Sequence, residues 1–160
     1  MTRVLVAGIG NIFLRDDGFG GKVIERLREE ELPEWVELAD YGISGVHLAY
    51  DLLGGYDLTV LVDATPQGCE PGTVFLIEVS ADRPAPHSLD AHGMQPDAVL
   101  GLLDLLGGDA GRLVVVGCEP ADTGDGIGLT EPVAAAVDEA VRLVCDLARQ
   151  HEDTTREGVS

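Results

Sequence analysis

The chain has no apolar run approaching the ~20 residues that span a bilayer, few basic residues, and only three cysteines. The first absence excludes a helical membrane span. Lys and Arg number 10 against 29 Asp and Glu, a net charge of −19. So few cations leave no electrostatic footprint for nucleic acid or an anionic membrane surface, both of which need basic patches. A cation or a basic partner surface suits the chain better, although part of this charge serves solubility alone. Cys69, Cys118 and Cys145 are odd in number and form no Cys-x-x-Cys pair, which excludes a disulfide scaffold or zinc knuckle and fits a reducing cytoplasm. They are read as buried small hydrophobes. The apolar residues 4–7 are too few for a secretory signal, so a cytoplasmic location is expected. There is no Gly-x-Ser-x-Gly elbow, and Asp122-Thr123-Gly124-Asp125-Gly126 lacks EF-hand ligand spacing. Internal repeats and low-complexity segments are also missing.

What is present is 45% hydrophobic residues in 160, enough for one domain that buries about 70% of the surface its unfolded chain exposes. The continuous apolar run 4–7 predicts a strand buried on both faces. Val23, Ile24 and Leu27 recur at helical spacing, and Pro33 closes that segment. Strands follow at 35–39 and 59–62, separated by a helix capped by Ser44 and carrying Val46, Leu48, Leu52 and Leu53. The connection 65–72 is too short for a crossover helix, so 74–79 should run antiparallel as a hairpin partner. Residues 80–95 form a long loop, the kind that is often functional, and a helix is expected over 96–106 after Pro96. A last strand at 113–116 leads to a closing helix capped by Thr130, with Val133, Val137, Val141 and Val144 on one stripe. The expected fold is a three-layer α/β/α sandwich with a mainly parallel five-stranded sheet, one strand antiparallel. Residues 1–150 make the domain, and 151–160 form a polar tail that frays.

Ligand sites in such sheets lie beyond the C-terminal ends of the strands, which points to residues 8–18, Asp40, Asp63 and the loop holding His92. The segment starts like a nucleotide-binding turn, with Gly8-Ile9-Gly10 running into a helix. However, Phe13 stands at the third fingerprint position, residues 11–17 are an inserted loop, and Asp16 and Asp17 would repel a phosphate. Asp40 could imitate a ribose-binding acid, so a nucleotide or dinucleotide site stays as an alternative.

Taken singly, Asp16 and Asp17 suit a helix N-terminus, Asp63 a turn, and His92 an exposed loop. Together they form a constellation, because the topology brings Asp17 and Asp63 to one sheet edge. Two ionised carboxylates about 5 Å apart repel by roughly 3 kcal/mol at an effective dielectric near 20, and a shared proton or bound cation relieves this. Adding His92 gives an oxygen, oxygen, nitrogen set suited to zinc, nickel or a similar divalent ion with positions left open. His87 could replace His92, although Gly93 gives His92 more backbone freedom. A Cys118–His92 nucleophilic pair is opposed by the acidic surroundings, where nothing lowers the thiol pKa.

Five motifs in one order resemble the hydrogenase maturation endopeptidases. They are Gly8-Ile9-Gly10-Asn11 followed by Asp16-Asp17-Gly18-Phe19-Gly20, then Asp40-Tyr41-Gly42-Ile43-Ser44-Gly45, Val62-Asp63-Ala64, His92-Gly93-Met94 and Gly117-Cys118-Glu119-Pro120. The resemblance implies an aspartyl-type endopeptidase that trims the C-terminal extension from the precursor large subunit of a nickel-iron hydrogenase. By position, the family's metal-binding carboxylates fall on Asp17 and Asp63, its histidine ligand on His92, and a further site residue on Asp40. Asp16 is then helix-end support. The resemblance also implies that nickel is supplied by the precursor rather than held as a resident metal, that no nucleotide is used, and that the chain acts as a monomer. A non-catalytic nickel-sensing chaperone that binds the precursor without cutting it fits the same residues.

Overall fold

The computed structural model describes residues 3–79 and 112–159. The chain order is β1 (Val4–Ile9), a 3-10 turn (Arg15–Gly18), α1 (Phe19–Leu27), β2 (Val36–Gly42), α2 (Gly45–Leu52), β3 (Leu58–Ala64), β4 (Val74–Val79), β5 (Arg112–Cys118) and α3 (Glu131–Val159). The sheet order is β2-β1-β3-β5-β4, with β4 alone antiparallel. This is the three-layer α/β architecture that the alternating pattern predicts.

The apolar runs of β1, β3 and β5 are continuous because both sheet faces are covered. Val4, Val6, Leu58, Val60, Val62, Val114 and Val116 pack on Phe19, Val23, Ile24 and Leu27 of α1 and on the Val133, Val137, Val141, Val144 stripe of α3. Leu5, Ala7, Leu61 and Val115 point the other way, toward Leu48, Ala49 and Leu52 of α2. Ser44 Oγ caps α2 by accepting from His47 N–H at 3.3 Å, as expected. Val46 and Leu53, counted with that helix's apolar set, are instead exposed.

The hairpin expectation needs correction. β4 is antiparallel, but it pairs with β5, not with β3; β5 takes the place beside β3 in parallel register, Val60 opposite Val114. Burial explains the choice: six of the seven β5 residues are buried, so this strand needs neighbours on both sides, whereas Leu76 and Glu78 of β4 are exposed and suit an edge. The backbone of α3 stays helical through Val159, past the point where fraying is expected. The loop 80–95 with His87 and His92, and the helix expected over 96–106, lie outside the described residues.

The chain leaves β1 toward β2 on one side, then returns through α2 to β3 on the other. The strand order therefore reverses between β1 and β3, and the crevice beyond their C-terminal ends is the natural ligand position.

Candidate active site

Two buried carboxylates, Asp17 from the 3-10 turn and Asp63 from the end of β3, stand at this switch point. Gly10 makes their approach possible. Its φ is +130°, and a Cβ there would collide with the Asp17 carbonyl oxygen and stand 3.3 Å from Asp63 Oδ1. Asn11 N–H donates to Asp17 Oδ2 at 2.8 Å, and Ala64 N–H donates to Asp63 Oδ1 at 2.8 Å. Burial, and next the Asp17 charge, push the Asp63 carboxyl well above its ordinary range, outweighing the Ala64 N–H. The structure thus brings together the two carboxylates that sequence placed at one edge; His92 lies outside the described residues. Gly10→Ala should cost at least about 2 kcal/mol through backbone strain and the clash, read as a lowered urea midpoint.

Asp16, adjacent in sequence, has a separate set of partners and is fully buried. Its Oδ2 accepts from Ala121 N–H at 2.8 Å and Asp122 N–H at 2.9 Å, and its Oδ1 from Thr130 N–H at 2.7 Å. The Thr130 hydroxyl also donates to it, at 2.8 Å to Oδ2. Burial alone would raise its pKa, but these donors outweigh burial and hold it below the ordinary value. One expectation changes here. Neither the 3-10 turn nor α1 has a side-chain cap, so the helix end that Asp16 supports is that of α3, at Thr130. Thr130 directs its hydroxyl at Asp16.

Asp40 is exposed at the end of β2, where Oδ1 accepts from Gly42 N–H at 3.0 Å. It pairs in register with Gly8 on β1, with Val62 on the far side. Two strand spacings, roughly 10 Å, thus separate Asp40 from the β3 end, so it belongs to the rim. The Asn11 N–H, which a phosphate-binding turn would offer to its ligand, faces Asp17 instead. Cys118 is buried among core residues, and burial, reinforced by Asp16, Glu119 and Glu139, pushes its thiol up to about 12. That opposes a thiolate nucleophile. Cys145 is buried as expected, but Cys69 is exposed.

Sequence reasoning gave no role to Glu119. This buried side chain accepts from Gln67 N–H at 2.7 Å and Cys69 N–H at 2.8 Å, pinning the β3–β4 connection beside the site. The signal available was a carboxylate directly following the apolar run of β5, where burial demands donors.

The fold sets the carboxylate pair at its switch point, and sequence comparison gives the chain its class and family. The profile of the hydrogenase maturation protease family matches residues 22–147, and the chain belongs to that family of peptidases. The match takes in Asp40, Asp63 and His92 and begins after Asp17. Among relatives, the hydrogenase expression/formation protein HupD of Rhizobium leguminosarum bv. viciae is 36% identical over 155 residues, covering 89% of this chain and 74% of HupD. Among solved structures, the hydrogenase maturating endopeptidase HybD of Escherichia coli superposes with a TM-score of 0.78 at 30% identity, covering 94% of each chain. The maturation protease HycI of Thermococcus kodakarensis gives a TM-score of 0.72 at 25% identity, over 92% of this chain and 93% of that one.

Proposed function

We propose that this peptidase removes the C-terminal extension of the precursor large subunit of a nickel-iron hydrogenase after nickel insertion, and that Asp17, Asp63 and His92 meet that nickel as part of the substrate. The observation that carries this reading is the pair of buried carboxylates at the switch point. Two like charges in one buried site are costly unless a proton or a cation comes between them, and oxygen donors beside an imidazole fit a divalent ion such as nickel. Asp40, exposed on the rim, is a further contact for the substrate chain. With Cys118 buried and its thiol raised, water is the attacking group, activated by a carboxylate general base or by the substrate's ion. The enzyme acts as a cytoplasmic monomer with no resident metal and no nucleotide.

The test is to incubate the protein with precursor large subunit, with and without nickel, and to weigh the product. Nickel-dependent loss of the C-terminal extension is expected, and Asp17→Asn and His92→Ala should remain folded yet leave the precursor at full length. Processing by both variants at the native rate would remove the site assignment. Co-purification with uncut precursor and no shortened product would favour the chaperone reading instead.

A further inference from the structure

Beside the carboxylate pair, the 3-10 turn, the start of α1 and the loop ahead of α3 enclose a groove of about 250 Å³ lined by Ile12, Arg15, Gly18, Lys22, Ile127 and Leu129. Its lip is apolar and exposed. Ile127 is 76% exposed, and Phe13, next to Ile12, is 61% exposed. Large apolar side chains grouped in this way mark contact surfaces more often than isolated ones do.

The lip is held in place by backbone. Gly126 N–H donates to Phe13 O and Arg15 N–H to Gly126 O, both at 2.9 Å, so the two loops are joined main chain to main chain. Phe13 N–H donates to Asn11 Oδ1 at 2.9 Å, which fixes the first tip. In the second, Ile127 sits between Gly126 and Gly128, with φ of +148° and +104°, conformations that glycine adopts without steric cost. The loop therefore presents Ile127 outward as a built feature. The groove is also joined to the site: Gly18 follows Asp17, and Ile12 follows Asn11, whose N–H holds the Asp17 carboxylate.

Charge narrows the occupant. The chain carries −19 and a single lysine, Lys22, yet this groove holds both Lys22 and Arg15 against one acid, Glu25. Their ion pairs, Lys22–Glu25 at 3.5 Å and Arg15–Asp122 at 3.6 Å, are exposed and long, so they exchange readily for another carboxylate. The overall charge of −19 disfavours such a group on an unspecialised surface.

We propose that this groove docks the precursor's C-terminal extension beyond the cut, as an extended segment carrying apolar side chains and a carboxylate. The inference rests on the function proposed above and adds a determinant of substrate affinity outside the carboxylate site.

Steady-state cleavage of nickel-loaded precursor tests it with Ile127→Asp and Lys22→Glu, both at exposed positions, and with Tyr50→Asp, a similar change on α2. Each groove variant should raise KM by at least ~10-fold with kcat within ~3-fold of native, and Tyr50→Asp should leave KM unchanged. An unchanged KM for both groove variants, or an equal rise with Tyr50→Asp, would overturn the assignment. If the native protein cuts nothing, the proposed function fails by itself. The groove is then decided by binding to immobilised precursor, where equal affinity of native protein and Ile127→Asp overturns it and a ~10-fold loss supports it.

Discussion

Asp63→Asn is expected to lower precursor cleavage by at least ~10²–10³-fold while yielding a protein more stable than the native one near neutral pH. The side chain is fully buried, and its bond from Ala64 N–H survives in an amide, whose Oδ1 accepts equally well. What disappears is the cost of a charge in a dry site next to the Asp17 carboxylate. The folded-state pKa of Asp63 is raised well above its ordinary value of 3.8. The proton it holds therefore contributes stability that is complete below 3.8 and lost as pH rises through the folded value. The amide never ionises, so the variant avoids that loss, and its advantage grows as pH rises. Like charges about 5 Å apart at an effective dielectric near 20 set the scale at roughly 1–3 kcal/mol. Urea unfolding at pH 4 and pH 7.5, beside mass measurement of the precursor, checks both halves. A variant that cuts normally, or that is less stable than native at pH 7.5, would show that Asp63 is an ordinary strand-end residue.

This opposition between stability and activity at Asp63 was partly legible in the sequence, because it follows from periodicity. Continuous apolar runs at 4–7, 59–62 and 113–116 announce doubly covered strands, and two carboxylates just beyond two such strands must share an edge once the connections are helical. Hydrophobic pattern reports burial, though, and not which strand lies beside which. The short connection from β3 to β4 suggested a hairpin, whereas the more fully buried β5 takes the inner position between β3 and the edge strand β4. Long-range polar pairing leaves no period at all. Asp16 finds its donors 105 to 114 positions away, and Glu119 finds its own about 50 positions back. Nothing local distinguishes these carboxylates from solvent-facing ones. Asp16 and Asp17 illustrate the limit: adjacent and chemically identical, they point in different directions because a 3-10 turn rotates each residue by about 120°, so one enters the crevice and the other enters the wall.

That wall is where the largest loss of stability is expected. Asp16→Asn should destabilise the fold by roughly 3 kcal/mol or more, since truncating one side of a buried charged network leaves its partners unsatisfied. The native carboxylate accepts from three backbone amides and one hydroxyl; the amide side chain must turn an NH2 toward one of those donors. The pH dependence has the opposite sign to that of Asp63. The folded-state pKa of Asp16 lies below 3.8, so its contribution is present above 3.8 and lost as pH falls through the folded value. The gap between native protein and Asp16→Asn should therefore close on acidification, while the gap for Asp63→Asn opens as pH rises. Asp16→Asn should also raise amide exchange at Ala121, Asp122 and Thr130, its direct donors. Because the same 3-10 turn carries Asp17, exchange at Asn11, whose N–H rests on Asp17, should rise with them. Faster exchange at the first three amides with Asn11 unchanged would mean that Asp16 anchors α3 alone. A coordinated rise would mean that the buried carboxylate of the wall sets the position of the one in the crevice.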